Sequence, residues 1–292
     1  MTYWPVEEAE RAPRNDFPPA WASAWGDDRY GLWADLTETA NGLSATQRMR
    51  WIEPGEFLFG STAEERASIK EQVHRKWANE FEEGPRHIGI GFGFWLADTP
   101  CTQGFWTAVM GGNPSMFQSG PDAPRKPVES VALEDVNQVA DVTRFLKKLN
   151  QKLPKPLAQL PSEVEWEYAC RADTQSTYWW GNAVNDLKAN WYAKHEGPSP
   201  VDRYQPNPWG LFDMHGNVWE WCRGAWYDRY SNPYSVRPHA APVRGGSWLF
   251  TSEVARCGCR MYFPRIVGDQ SRGFRFSISS GGINATTPSE SV

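Results

Sequence analysis

Hydrophobic positions along this chain alternate over short stretches, break at Gly and Pro, and restart, while only a few runs carry a helical period. Residues 50–61 place apolar side chains on both sides of Pro54-Gly55 and predict two strands joined by a turn, a hairpin. Residues 63–82 are charged and predict a surface helix. Phe94-Trp95-Leu96 opens a further strand, and residues 102–110 predict a short helix. Over residues 133–149, Val136, Val139, Ala140, Phe145, Leu146 and Leu149 recur at helical spacing and predict one helix with a buried stripe. Ser162 with Glu165 three residues later has the signature of a capping box, so a helix starts at Ser162. Residues 181–243 are turn-rich, and 244–248 and 273–278 predict strands around an irregular segment. Residues 1–45, rich in Pro, Trp and acids without clean periodicity, read as a wrapping or docking arm. Residues 46–280 read as one loop-rich α+β domain, and 281–292, small and polar, as a disordered tail.

Composition narrows the function classes. The 292 residues include 17 tryptophans and 25 glycines, which point to a loop-rich fold fixed by aromatic packing rather than a plain helical bundle. A net charge of −5 with interspersed signs argues against nucleic acid as a partner. No apolar run is long enough to span a membrane, and the N-terminus has no basic, apolar leader pattern, so no membrane partner is expected and the expected compartment is the cytoplasm. Five cysteines without framework spacing agree with reduced thiols.

Five segments in order carry a resemblance: residues 51–61, residues 160–169, the stretch from Asn207 to Cys222 with its Gly-Asn-Val-Trp-Glu-Trp core, Arg244-Gly245-Gly246-Ser247-Trp248, and Gly273-Phe274-Arg275. In this order the chain resembles the sulfatase-modifying-factor family, whose prototype is the formylglycine-generating enzyme. The resemblance spans roughly residues 48–278 and implies a C-type-lectin-like single domain. It also implies a calcium site made by the Asp213 and Glu220 side chains with the Gly216 and Val218 carbonyls, consistent with the oxygen ligands a hard cation takes. The residues themselves leave a second role open, in which Glu220 caps backbone N–H groups beneath Trp219 and Trp221. Another family calcium site would start at Asn190-Trp191, where the acidic partner has no counterpart.

The family's oxidase holds copper with two cysteines, the first three residues after the serine of Gly-Gly-Ser and the second five further on. Those positions are Phe250 and Ala255 here, so no copper and no oxidase chemistry are expected. Cys257 and Cys259 fall on the framework and read as small thiols packed in the interior; an extended strand would put both on one face. A family branch with a three-histidine iron site does not match the scattered His74, His87, His195, His215 and His239, of which His215 reads as structural.

Residues 249–272 contain no Asn and no Lys, yet carry Phe250, Met261, Tyr262, Phe263, Ile266 and Val267 among Glu253, Arg265 and Asp269. The segment resembles the variable region of retroelement-diversified proteins on this same fold, with Ala255, Arg256, Cys257, Arg260 and Gly273-Phe274-Arg275 as framework. That resemblance implies a binding surface for a protein, peptide or carbohydrate. The six apolar residues would supply contact area, and Glu253, Arg265 and Asp269 would orient the ligand. Trimming Tyr262 or Phe263 to Ala should then weaken binding and leave the melting temperature nearly unchanged. The alternative is a loop that folds inward and buries these side chains. Two other functions compete: a copper-dependent formylglycine-generating oxidase, and an accessory module of a bacterial signalling or conflict system that docks through residues 1–45.

Overall fold

Asn41 and Gly42 adopt positive φ, 52° and 76°, and turn the chain between its two longest strands. This is the two-residue hairpin turn that Asn-Gly favours. β2 (Gly31–Ala40) and β3 (Leu43–Ile52) pair antiparallel from Ala40 opposite Leu43 outward, and β1 (Ala24–Asp28) extends them. The structure, a computed structural model, describes residues 17–279 apart from 136, 138, 139, 156 and 193–195. Residues 24–45 are therefore not an arm but part of the main sheet. Their alternation is disguised because Glu38 takes an inward position after Ala34 and Leu36 and pairs there with Lys152. The expected tail over 281–292 and the first sixteen residues lie outside the described residues.

β6 (Phe94–Ala97) joins β3 on its other side, followed by β14 (Ser277–Ser279) and β7 (Ala158–Gln159), giving a sheet ordered β1-β2-β3-β6-β14-β7. With both sides of β3 taken, the hairpin expected over 50–61 cannot form. The chain leaves the sheet at Pro54, and β4 (Gly55–Phe59) pairs with β5 (Arg86–Ile90) in a separate ribbon. A second sheet of β8 (Trp219–Trp221), β11 (Ala240–Arg244), β12 (Met261–Pro264) and β13 (Arg272–Gly273) runs in the order β12-β11-β8-β13, and β9 (Trp226–Tyr227) pairs with β10 (Val236–Arg237) between β8 and β11 in the chain. The strand expected over 244–248 ends at Arg244, because Gly245 and Gly246 both turn at positive φ.

Helices start where local caps place them. Thr102 caps α3 (Gln103–Met110), where the sequence predicts a short helix, and Ser162 with Glu165 closes the full capping box that it predicts on α5 (Glu163–Arg171). The charged stretch 63–82 divides into α1 (Ala63–Ala67) and α2 (Gln72–Phe81), the latter burying Ala78 and Phe81. The helix expected from 133 begins at α4 (Val142–Lys152), because the Asp141 side chain accepts from the Arg144 N–H and fixes the start there. Val136 and Val139 lie outside the described residues. Phe145 and Leu149 face inward, and Phe145 stacks on Trp106 at 5.2 Å and meets Phe274 at 5.1 Å, joining helices to sheet. Among the described residues no helix is long and apolar enough to cross a membrane.

Candidate binding face

The framework arginines of the C-terminal segment are buried, and each is held by a carboxylate from elsewhere. Arg244 pairs with Glu167, Arg256 with Glu82 at 2.6 Å, Arg260 with Glu163 at 2.9 Å, and Arg275 with Glu220 at 2.6 Å. A buried guanidinium is tolerated only when it is paired and hydrogen-bonded. These pairs pin the segment to α2, α5 and β8 and leave the residues between them to shape the surface. The Trp248 indole N–H donates to the Gln270 carbonyl at 3.0 Å and brings the two ends of the segment together.

The predicted contact residues do not form one exposed patch. Phe250 and Phe263 both lean edge-on to Trp219, at 5.8 and 6.4 Å, and are half-buried there with Met261. Arg272 lies over the Phe263 ring at 4.0 Å. Tyr262 alternates to the opposite face of β12, as strand geometry requires. It stacks on Trp77 at 5.5 Å, packs on Trp226 at 5.0 Å, and accepts from Arg237 at 2.7 Å. It therefore belongs to an aromatic cluster under α2, which overturns the expectation that its removal leaves stability untouched. Ile266 is 63% exposed and Val267 42%, and with Leu249 they are the open apolar side chains of the segment.

The polar members of the set are already engaged. Glu253 accepts from the Lys70 N–H at 2.7 Å and faces His74 at 3.3 Å, so it caps the entry to α2. Arg265 pairs with Glu134 at 2.6 Å, and Asp269 accepts from Arg272 and from the Ser271 hydroxyl. Asp269 is held below the usual carboxylate range, the upward push of burial being outweighed by Arg272 and Ser271. Beneath the face the Trp219 indole N–H is buried without a hydrogen-bond partner. Ser247, from the Gly-Gly-Ser turn, is also buried, and its hydroxyl accepts a long bond from the Leu249 N–H at 3.4 Å.

The two positions that the resemblance assigns to the oxidase's cysteines offer no ligand atoms. Phe250 turns its ring to Trp219, and Ala255 is fully packed against Gly246, where an added Cβ would come within 2.8 Å of the Ala255 methyl. The implied calcium set does not fit as a whole either. Glu220 gives Oε1 to Arg275 at 2.7 Å, and Oε2 to Arg275 at 2.6 Å and to the Trp166 indole at 2.7 Å, so neither oxygen is free for a cation. Asp213 keeps a buried Oδ1 without a partner, its other oxygen accepting from Asn217 at 3.2 Å, and burial pushes its carboxyl up to about 7. Gly216 turns at φ 82° and Val218 is buried ahead of β8, so the backbone of the expected set is placed but its acidic anchor is not available.

Sequence reasoning missed a buried group of three. Cys170, His215 and Cys257 come together from α5, from the turn at Asp213–Gly216 and from the C-terminal segment. Cys257 and Cys259 do not share a strand face: a turn separates them, and they enter different parts of the core.

Comparison with known proteins agrees with this architecture. Residues 35–279 match the model of the sulfatase-modifying factor enzyme 1-like domain. The chain is 29% identical over 201 residues to the formylglycine-generating enzyme of Bos taurus, covering 59% of this chain and 50% of that one. It is 36% identical over 113 residues to the serine/threonine-protein kinase pkn1 of Chlamydia caviae, covering 35% of this chain and 18% of the kinase, so it spans at most half the length of these relatives. In three dimensions it is similar to Treponema denticola variable protein 1, with a TM-score of 0.66 at 21% identity over 84% of this chain and 99% of that one. The fold is thus the α+β, C-type-lectin-like single domain that the segment order implied. From the family match over most of its length, the chain belongs to the sulfatase-modifying-factor family.

Proposed function

We propose that this chain is a non-catalytic member of its family that binds a protein, peptide or carbohydrate ligand on the face over Trp219. The observation that carries the reading is the ring of Phe250 seated on Trp219 where an oxidase would need a thiolate, with Ala255 at the second position. Soft thiolate ligands hold copper(I), and a phenyl ring and a methyl group cannot. The face has a half-buried aromatic floor, Phe250 and Phe263, and the same segment carries open Leu249, Ile266 and Val267, apolar side chains of the kind that binding sites use. The unsatisfied Trp219 indole N–H beneath it supports a face that gains a polar partner on binding, since an orphaned buried donor costs about 1–3 kcal/mol. The likeness to a variable protein supports residues 249–272 as the diversified segment.

The catalytic half is tested by incubating the copper(I)-loaded chain with a Cys-x-Pro-x-Arg peptide under oxygen and weighing the peptide. It should return unchanged, and conversion of its thiol to an aldehyde would overturn the reading. The diversification half is tested in the genome. A near-copy of the coding segment for residues 248–275, differing only at adenines and beside a reverse transcriptase gene, is expected; its absence removes diversification but not ligand binding. The pkn1 relative favours a second reading, an accessory module of a signalling protein. With residues 24–45 in the sheet, docking would rest on the chain before residue 24. Deletion of those residues that abolishes partner binding and leaves the face intact would favour that reading.

A further inference from the structure

The Cys170 and Cys257 sulfurs stand 3.7 Å apart, and each faces the Nε2 of His215, at 3.8 and 4.0 Å. All three side chains are buried, and they come from segments 87 and 45 residues apart in sequence. We propose that this triangle is a binding site for one thiophilic d10 metal ion, with zinc(II) as the charge-balanced occupant and copper(I) as the alternative of the same chemistry.

The size of the triangle fits. An ion at the centre of a triangle with edges of 3.7, 3.8 and 4.0 Å lies an edge divided by the square root of three from each corner, about 2.2 Å. Zinc–sulfur and zinc–nitrogen bonds are about 2.3 and 2.0 to 2.1 Å long. The ligand atoms therefore need to move by only a few tenths of an ångström, on the order of the scatter in such sites.

The histidine is oriented for the role by its other nitrogen. His215 Nδ1 donates to the Ala255 carbonyl at 2.6 Å, which fixes the tautomer and leaves the lone pair on Nε2, the nitrogen 3.8 and 4.0 Å from the two sulfurs. A ring N–H held by a backbone carbonyl is the usual support of a metal-ligating histidine. The Trp179 N–H reaches the same lone pair at 3.2 Å, which confirms Nε2 as the acceptor; the ion takes that lone pair, and the Trp179 N–H gives way.

Binding the ion displaces both thiol protons to solvent. Two thiolates, a neutral imidazole and a divalent ion sum to zero charge, which a fully buried site favours. Arg171 and Arg244 share the Glu167 carboxylate, and Arg244 also lies 3.5 Å from Glu163. The ion would tie α5, the Asp213–Gly216 turn and the C-terminal segment into one unit, as a staple behind the proposed binding face.

The test uses the full chain, reduced under argon, stripped of metal and titrated with zinc(II) or copper(I) against a chromogenic chelator. One equivalent should bind, and cobalt(II) should give the intense near-ultraviolet thiolate-to-metal band. Cys170→Ser with Cys257→Ser should lower the stoichiometry from one to none, and Cys259→Ala should leave it at one. His215→Asn, whose amide nitrogen can keep the bond to Ala255, should weaken binding at least tenfold. Native mass spectrometry with each metal separates the two ions. Three results overturn the proposal: a reduced chain that takes no metal from the chelator, a stoichiometry of one that survives the double serine change, and a chain isolated in air with Cys170 and Cys257 joined as a disulfide whose reduced form binds nothing.

Discussion

Arg275 grips Glu220 with two parallel hydrogen bonds, Nε to Oε2 at 2.6 Å and Nη2 to Oε1 at 2.7 Å, and both side chains are fully buried. The guanidinium also donates to the carbonyls of Ala97 at 3.1 Å and Phe212 at 2.8 Å, so one arginine joins β6, β8 and the approach to β14. Removing either partner leaves the other charge buried and unpaired, which costs about 3–5 kcal/mol. Glu220→Gln and Arg275→Met should each lower the urea midpoint by that equivalent, while the double change should lose much less than the sum. Additive losses would show that the two side chains act independently.

Two buried carboxyls give the stability a specific pH dependence. Burial pushes both Asp98 and Asp213 up to about 7 from an ordinary value of 3.8, and Arg50, Arg48 and Arg275 only partly restrain Asp98. A raised acid binds more protons folded than unfolded between the two values, so its contribution is full below about pH 4 and is lost as pH rises through about 7. Asp98→Asn and Asp213→Asn should therefore gain on the parent chain as pH rises from 5 to 8, read as the difference in melting temperature at each pH. A difference that stays constant across that window would show that neither carboxyl titrates there.

Local chemistry was legible in the sequence, and distant pairing was not. The capping box at Ser162 and Glu165 was readable because it is satisfied within three residues. The Asn41-Gly42 turn was equally local, but the composition around it, with Glu38 facing inward, masked the alternation that would have identified its strands. The Glu220–Arg275 pair spans 55 residues and the Cys170–Cys257 approach spans 87, and no local period encodes either. Of the proposed binding face, the segment and its aromatic content were visible. Its division was not: which side of β12 is covered depends on Trp77 and Phe81 of α2, far upstream.

The Gly-Gly-Ser turn is fixed by shape as well as by conformation. Gly246 has φ of 75°, and an added Cβ would meet the Ala255 methyl at 2.8 Å and its Cα at 2.9 Å. Both strain and overpacking act at this position, each costing about 1–3 kcal/mol. Gly246→Ala should lose a few kcal/mol in denaturant unfolding. Adding Ala255→Gly should recover only the part due to the methyl, because the Cα at position 255 still lies at 2.9 Å and the positive φ remains strained. Full recovery would assign the whole effect to the clash.

The sharpest separation between scaffold and surface lies within five residues of the C-terminal segment. Tyr262 is packed between Trp77 and Trp226 and bonded to Arg237, whereas Ile266 is 63% exposed. Truncating a large aromatic in a packed cluster costs about 3–5 kcal/mol when it is fully buried, and proportionately less for this half-buried ring. Truncating an open aliphatic side chain changes stability by about 0.5 kcal/mol or less. Tyr262→Phe should lose only the Arg237 bond, about 1 kcal/mol. Tyr262→Ala should lower the melting temperature by several degrees, and Ile266→Ala and Val267→Ala should leave it within a degree or two. Once a ligand is in hand, Ile266→Asp should abolish its binding in a chain that still melts normally. A cooperative loss of stability from the Ile266 changes would place that side chain in the core and remove it from the binding face.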